Sequence, residues 1–172
     1  MDNSKIHSNT LGKGNAGNVN VMANTISVHG GGISSDSHSD GNAGQVKVIG
    51  QTIALSGDAD ISSDALFDAG ALLIDRENLK GTSGNGGSVI VEAAVLTLDN
   101  AADISASTFG NGKAGNVQVT ATSIKMTNDA AMITSASAEG LGDGGTLIIK
   151  AKDLELNNSF ISSRTNNRAG RA

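Results

Sequence analysis

Apolar side chains along this chain fall in steps of two, broken once by a step of three, and the same figure recurs five times. It opens at Val19, Val46, Val89, Val117 and Leu147 and continues two residues on at Val21, Val48, Val91, Val119 and Ile149. Two further stands a small residue: Ala23, Gly50, Ala93, Ala121 or Ala151. The step of three then leads to Ile26, Ile53, Leu96, Ile124 and Leu154, and two beyond lie Val28, Leu55, Leu98, Met126 and Leu156. After a further five to seven residues comes a third apolar position, read as Ile33, Ile61, Ile104, Ile133 and Ile161. Each is followed by Ser or Thr and then by Ser35, Ser63, Ala106, Ser135 or Ser163. Steps of two are the β period, because successive side chains point to opposite faces of a strand. The spacing predicts three short strands per repeat and no helix, since no apolar set repeats at i, i+3, i+4, i+7.

Each copy is introduced by Gly-x-(Ala/Gly)-Gly: Gly14-Asn15-Ala16-Gly17, Gly41-Asn42-Ala43-Gly44, Gly84-Asn85-Gly86-Gly87, Gly112-Lys113-Ala114-Gly115 and Gly142-Asp143-Gly144-Gly145. A sixth, degenerate copy is Asn167-Arg168-Ala169-Gly170. One such repeat cannot bury its apolar face alone, but stacked repeats can. Equivalent strands then pair in parallel, and the Val and Ile columns become internal ladders. The expected fold is all-β: a single domain over residues 1–172, a parallel β-helix of about five complete coils. A right-handed winding is expected from the hand of nearly all parallel crossovers. The corners carry Gly, Asn, Asp and Ser, which tolerate or favour the positive φ that sharp bends need. The absence of Pro suits strands that donate hydrogen bonds on both sides.

The third corner of the second copy is longer than the others. Ile61 and Gly87 are 26 residues apart, which sets an external insertion at about Asp64 to Lys80. The chain opens with Ile6-His7-Ser8, which matches Ile33-Ser34-Ser35 and so reads as the last strand of a preceding coil. It closes on the start of another coil, so the chain is expected to be a solenoid fragment, with further coils of a longer parent at both ends.

Composition narrows the function. The chain has 172 residues, 23 Gly, no Cys, no Trp, no Tyr and a net charge of −5. Without cysteine there is no disulfide framework, thiolate metal site or Cys nucleophile. The acidic balance argues against nucleic acid, which asks for a basic face. No apolar run approaches the length of a membrane span, and the first residues lack the apolar core of a signal peptide.

Candidate chemistry is sparse. Gly-x-Gly-x-x-Gly occurs at Gly12/Gly14/Gly17, Gly110/Gly112/Gly115 and Gly140/Gly142/Gly145. Each copy leads into a strand, whereas a dinucleotide site needs a helix N-terminus there, so these read as corners. Gly142-Asp143-Gly144-Gly145 resembles a calcium β-roll corner but lacks the nine-residue period. Asp60 and Asp103 precede the isoleucine in neighbouring coils, in a column read as Gly32, Asp60, Asp103, Met132, Phe160, with Asp58, Asp99 and Asp129 nearby. Stacked carboxylates can bind a cation or do acid/base work, but here they read as solvated corner residues. His7, His29 and His38 lack metal-ligand spacing and read as surface residues, and Asn18, Gln45 and Asn116 as a partial amide ladder. No catalytic, cofactor or metal residue is assigned, and no enzyme activity or cofactor is expected.

The phrases Gly-Asn-Ala-Gly-Asn-Val-x-Val, Gly-Asn-Gly-Gly-Ser-Val-Ile-Val and Leu-Thr-Leu-Asp-Asn-Ala-Ala-Asp-Ile-Ser-Ala-Ser-Thr-Phe-Gly-Asn-Gly resemble the repeats of filamentous haemagglutinin-like proteins. The closest phrasing is that of cyanobacterial members exported by two-partner secretion. The resemblance runs from Ile6 to Gly170 apart from the insertion. It implies a right-handed β-helix, export across an outer membrane, and a secreted or cell-surface, adhesin-type role, with a cell-surface molecule or glycan as ligand. The family's N-terminal secretion domain is absent from these residues. The expected function is therefore a structural or presenting segment of a large secreted bacterial surface protein. The runner-up is a remnant of a β-helix polysaccharide lyase or hydrolase.

Overall fold

The computed structural model describes residues 1–66, 84–136 and 142–165. Among them lie eleven strands and no helix: β1 (Asp2–His7), β2 (Val19–Met22), β3 (Thr25–Ser34), β4 (Gln45–Ser56), β5 (Asp60–Ser62), β6 (Ser88–Asp99), β7 (Asp103–Ser105), β8 (Asn116–Thr127), β9 (Ala131–Ala136), β10 (Thr146–Asn157) and β11 (Phe160–Thr165). All pair in parallel, in the order β10-β8-β6-β4-β3-β5-β7-β9-β11, with β1 added to β3 and β2 to β4. The chain is a parallel β-solenoid of about five turns.

The ladders follow the predicted columns. Val19, Val46, Val89, Val117 and Leu147 pair rung to rung, as do Ile26, Ile53, Leu96, Ile124 and Leu154. Ile6 pairs with Ile33, so β1 is the third-face strand the sequence predicts. Inside, Val46, Val48, Ile53, Leu55, Val89, Val91, Leu96 and Leu98 have no exposed surface beyond 1%. On the last coil the equivalent Leu154 and Leu156 are exposed, because among the described residues no rung covers β10.

Four expectations are revised. First, in coils two to five the first two faces form one twelve-residue strand rather than two. Pairing runs through the small column, Gly50 to Ala93 to Ala121 to Ala151, skips one residue, and resumes at Thr52, Val95, Ser123 and Asp153. The wall bends within a strand because small side chains leave room and only one rung partner is lost. The third face keeps three residues in β5 and β7, followed by single bridges linking Thr10, Ser37, Ala65, Thr108 and Ala136.

Second, the third apolar column contains Met132, not Ile133. Ile33, Ile61, Ile104, Met132 and Ile161 are in register, and Met132 is fully buried while Ile133 is only partly so. Methionine is unbranched and adaptable, and fills the position that isoleucine holds elsewhere. The small residue following it is accordingly Thr134, not Ser135.

Third, corner Gly, Asn and Asp take positive φ as expected, but the anchor glycines do not. The closing glycines Gly44, Gly87, Gly115 and Gly145 each lie so close to the carbonyl of the glycine below that an added Cβ would stand 1.8–1.9 Å from its oxygen. Positive φ is found at the second corner, where Gly30-Gly31, Gly57-Asp58, Asn100-Ala101 and Asn128-Asp129 each place two successive residues there. Asn and Asp tolerate this region. A buried alanine follows in the last three: Ala59, Ala102 and Ala130.

Fourth, the insertion begins later than Asp64. Ala65 is fully buried and bridges Ser37 and Thr108, so Asp64, Ala65 and Leu66 belong to the stack. The remainder of the proposed insertion, 67–80, and the degenerate anchor 167–170 lie outside the described residues.

Candidate functional site

The third face gathers aspartates among the described residues, the buried Asp36 with the half-buried Asp60, Asp64 and Asp103. It is built by two adjacent columns. The first reads Gly32, Asp60, Asp103, Ala131, Phe160; the sequence reading had placed Met132 in it, one residue out of register. The second lies four residues further along in the same coils: Asp36 and Asp64, with Asn9 below and Ser107 and Ser135 above. In this column each side-chain oxygen accepts from the main chain of the next coil. Asp36 N–H donates to Asn9 Oδ1 at 2.9 Å, Asp64 N–H to Asp36 Oδ1 at 3.0 Å, Ser107 N–H to Asp64 Oδ1, and Ser135 N–H to Ser107 Oγ at 3.2 Å. Serine hydroxyls join the columns. Ser62 Oγ lies 3.1 Å from Asp36 Oδ1 and 2.9 Å from Asp60 Oδ2, and Ser105 Oγ donates to Asp64 Oδ2 at 2.8 Å.

Asp36, Asp60, Asp64 and Asp103 are thus four carboxyls spread over three coils, Asp36 buried and the other three half-buried. Burial raises the pKa of Asp60, opposed by the Ser62 hydrogen bond and reinforced by the charge of Asp36. Burial pushes Asp64 up to about 7, against the lowering effect of the Ser107 and Ser105 hydrogen bonds. Asp103 is also pushed up to about 7, by burial first and then by the charges of Asp64, Asp60 and Asp36. Desolvation and like charge both disfavour the ionised form. The arrangement can hold protons near neutrality. It does not converge on a point: among the described residues no set of three or more His, Cys, Asp or Glu is placed to hold a metal ion.

Comparison with known proteins brings no relative. No family model, curated protein or solved structure matches the chain.

The other residues considered from sequence are dispersed. Asp58 and Asp129 sit at the positive-φ corner. Asp99, beside it, accepts from Thr127 Oγ1 at 2.6 Å and Asn128 Nδ2 at 2.8 Å, which hold its carboxyl below the usual range. His7 and His29 are exposed, His29 with Ser56 Oγ 3.1 Å from Nδ1, and His38 is half-buried. Gly12, Gly14, Gly17, Gly110, Gly112, Gly115, Gly142 and Gly145 occupy loops leading to strands; Gly140 lies outside the described residues. Asp143 pairs with Lys113 of the coil below at 3.3 Å.

Asn18, Gln45 and Asn116 do not join into one amide ladder: Gln45 N–H donates to Asn18 Oδ1 at 3.0 Å and Thr146 N–H to Asn116 Oδ1 at 3.3 Å, and Ser88 stands between Gln45 and Asn116 in the column. A continuous asparagine ladder, missed in the sequence, runs through the anchors, where Asn42 N–H, Asn85 N–H and Lys113 N–H donate to Asn15, Asn42 and Asn85 at 2.8–3.0 Å. Serines close three of the coils. The buried Ser63 Oγ donates to the Gly44 carbonyl at 2.6 Å and the exposed Ser163 Oγ to that of Gly145 at 2.8 Å, with the buried Ser35 on Gly17 likewise. At Thr134 the same position carries a buried hydroxyl with no partner.

Proposed function

We propose that this chain is a structural, presenting segment of a large secreted bacterial surface protein, adhesin-like and of the filamentous haemagglutinin type that its repeats resemble. The carrying observation is the unbroken first wall. Strands β4, β6, β8 and β10 stack through ten or eleven paired residues at every interface. A wall of that kind fixes distance along its axis and repeats its outer residues at each rung. The exposed edge of β10, with Leu154 and Leu156, supports continuation by further coils.

Outer charge supports the same reading. The ion pairs Lys47–Glu92, Lys113–Asp143 and Lys125–Glu155 each tie neighbouring coils on exposed surface, at 3.2–3.3 Å. They are scattered rather than gathered in one groove, as a lyase for acidic sugars would need.

The test has two arms. Antibody raised against this chain should label intact cells of the source bacterium, and the flanking reading frame should encode more coils and an export domain. Antigen confined to the cytoplasm, or a frame lacking both, would overturn the proposal. Incubation with pectin-like and other acidic glycans should yield no new unsaturated ends; their appearance would select the lyase reading.

A further inference from the structure

We propose that the 172-residue chain forms a two-fold dimer in which β10 of one copy pairs antiparallel with β10 of a second. β10 is the last strand of the wall among the described residues, so one edge of its twelve-residue main chain has no partner there. Leu154 and Leu156 continue two core columns yet are 46% and 42% exposed, and Leu147 and Ile149 are half-buried. The opposite end differs. Val19, Ile26 and Val28, the first members of the same columns, are at most 7% exposed. Only one end of the stack offers open core, which favours a closed pair over a filament.

Head-to-tail stacking fails on the order of strands. β1 already lies against the third face of β3, with Ile6 on Ile33. A second copy whose β2 and β3 covered β10 in the register of the stack would bring its β1 to the level of β11, the strand that follows β10. Two strands cannot share that place.

β10 complements itself when reversed. Its charges run Lys150, Lys152, Asp153, Glu155, positive and then negative. Laid parallel on itself it would set like charge on like; laid antiparallel it sets opposite charges together. The midpoint of Thr146–Asn157 falls between Ala151 and Lys152, at the bend where the rung pairing skips one residue. About that point Lys150 stands opposite Asp153 of the second copy, and symmetry repeats the pair. Leu147 stands opposite Leu156, and Ile149 opposite Leu154. Inward side chains thus meet inward side chains, and bend meets bend. Neither Lys150 nor Asp153 has an ion pair within the chain among the described residues, so both are available across the interface.

The contact is small. β10 supplies twelve residues per partner, against about 20–30 in a standard interface, which sets a dissociation constant of about 1–100 μM. The inference goes beyond the proposed role and does not rest on it. In a longer parent, further coils would take this edge in place of the second copy.

The experiment is sedimentation equilibrium of the whole 172-residue chain from about 1 to 300 μM in about 0.05 M salt. The mass should rise from one copy to two and stop there. Lys150→Glu and Asp153→Lys each set like charges opposite one another and should each weaken the dimer about tenfold. Combined in one chain, the two substitutions should restore the affinity of the unaltered protein. Both side chains are exposed, so the circular dichroism spectrum and the Tm at low concentration should not change. A single-copy mass at every concentration would overturn the proposal, as would growth beyond two copies. Single substitutions without effect, or a combination that fails to restore pairing, would overturn the antiparallel register. None of these results bears on the labelling of intact cells, which tests the proposed role separately.

Discussion

Gly14 and Gly41 hold the same place in the same motif, yet the structure predicts opposite consequences for replacing them by alanine. A Cβ on Gly41 would stand 1.9 Å from the Gly14 carbonyl oxygen and 2.6 Å from its carbon, where ordinary contact begins at 3.4 Å. Around Gly14 nothing lies within 4 Å. Neither residue has positive φ. Relieving the contact at Gly41 requires two coils to part by about 1.5 Å. The main-chain bond that joins these two coils at that corner, Ala16 N–H to Asn42 at 2.9 Å, would then be stretched beyond useful range. Overpacking costs about 1–3 kcal/mol, and the lost bond adds about 1 kcal/mol. Gly41→Ala should therefore destabilise by roughly 2–4 kcal/mol, a fall of about 5–15 °C in Tm for a chain of this size. Gly14→Ala should be neutral or stabilising by up to about 1 kcal/mol, through the unfolded chain's reduced freedom. Urea and thermal unfolding followed by circular dichroism measure both. Equal loss in the two variants would refute the reasoning, because it would mean that backbone conformation, rather than the carbonyl beneath, demands glycine.

Three further outcomes are expected. Thr134→Val removes the buried unpartnered hydroxyl at constant shape and should raise stability by about 1 kcal/mol, read as a higher urea midpoint; a fall would reveal a partner for Oγ1. Met132→Ala should cost about 2–5 kcal/mol and Ile133→Ala under about 1 kcal/mol, and the reverse order would restore the register first read from the sequence. Asp99 should titrate below 3.8, its stabilising contribution present above that value and lost as pH falls through the lower folded one; Thr127→Val should move its NMR midpoint upward.

The stack was legible because its evidence is redundant. Five copies of the same steps of two and three fix the two wall faces at Val46, Val48, Ile53 and Leu55 and their equivalents, and each copy checks the others. Features that arise only between coils were not legible in the same way. The anchor glycines look like ordinary bend residues in one dimension, because the carbonyl that excludes a side chain at Gly44 belongs to Gly17, twenty-seven residues away. The carboxyl group was half seen. Asp60 and Asp103 stood out as identical residues at identical places, whereas Asp36 and Asp64 share a column with Asn9, Ser107 and Ser135, and Asp64 had been assigned to the insertion.

A signal for that column was nonetheless present. Asn9, Asp36, Asp64 and Ser107 each lie three residues after Ile6, Ile33, Ile61 and Ile104, and every one offers a side-chain oxygen. A short polar acceptor at a fixed offset from a buried aliphatic is what a solenoid needs where a main-chain N–H would otherwise lack a partner. Applied to the fourth coil, the same offset back from Ser135 lands on Met132, not on Ile133. The polar ladder thus selects the correct register independently of the apolar one. Choosing the more β-like residue went wrong there because a column is defined by what is stacked above and below it, and Met132 stands between Ile104 and Ile161.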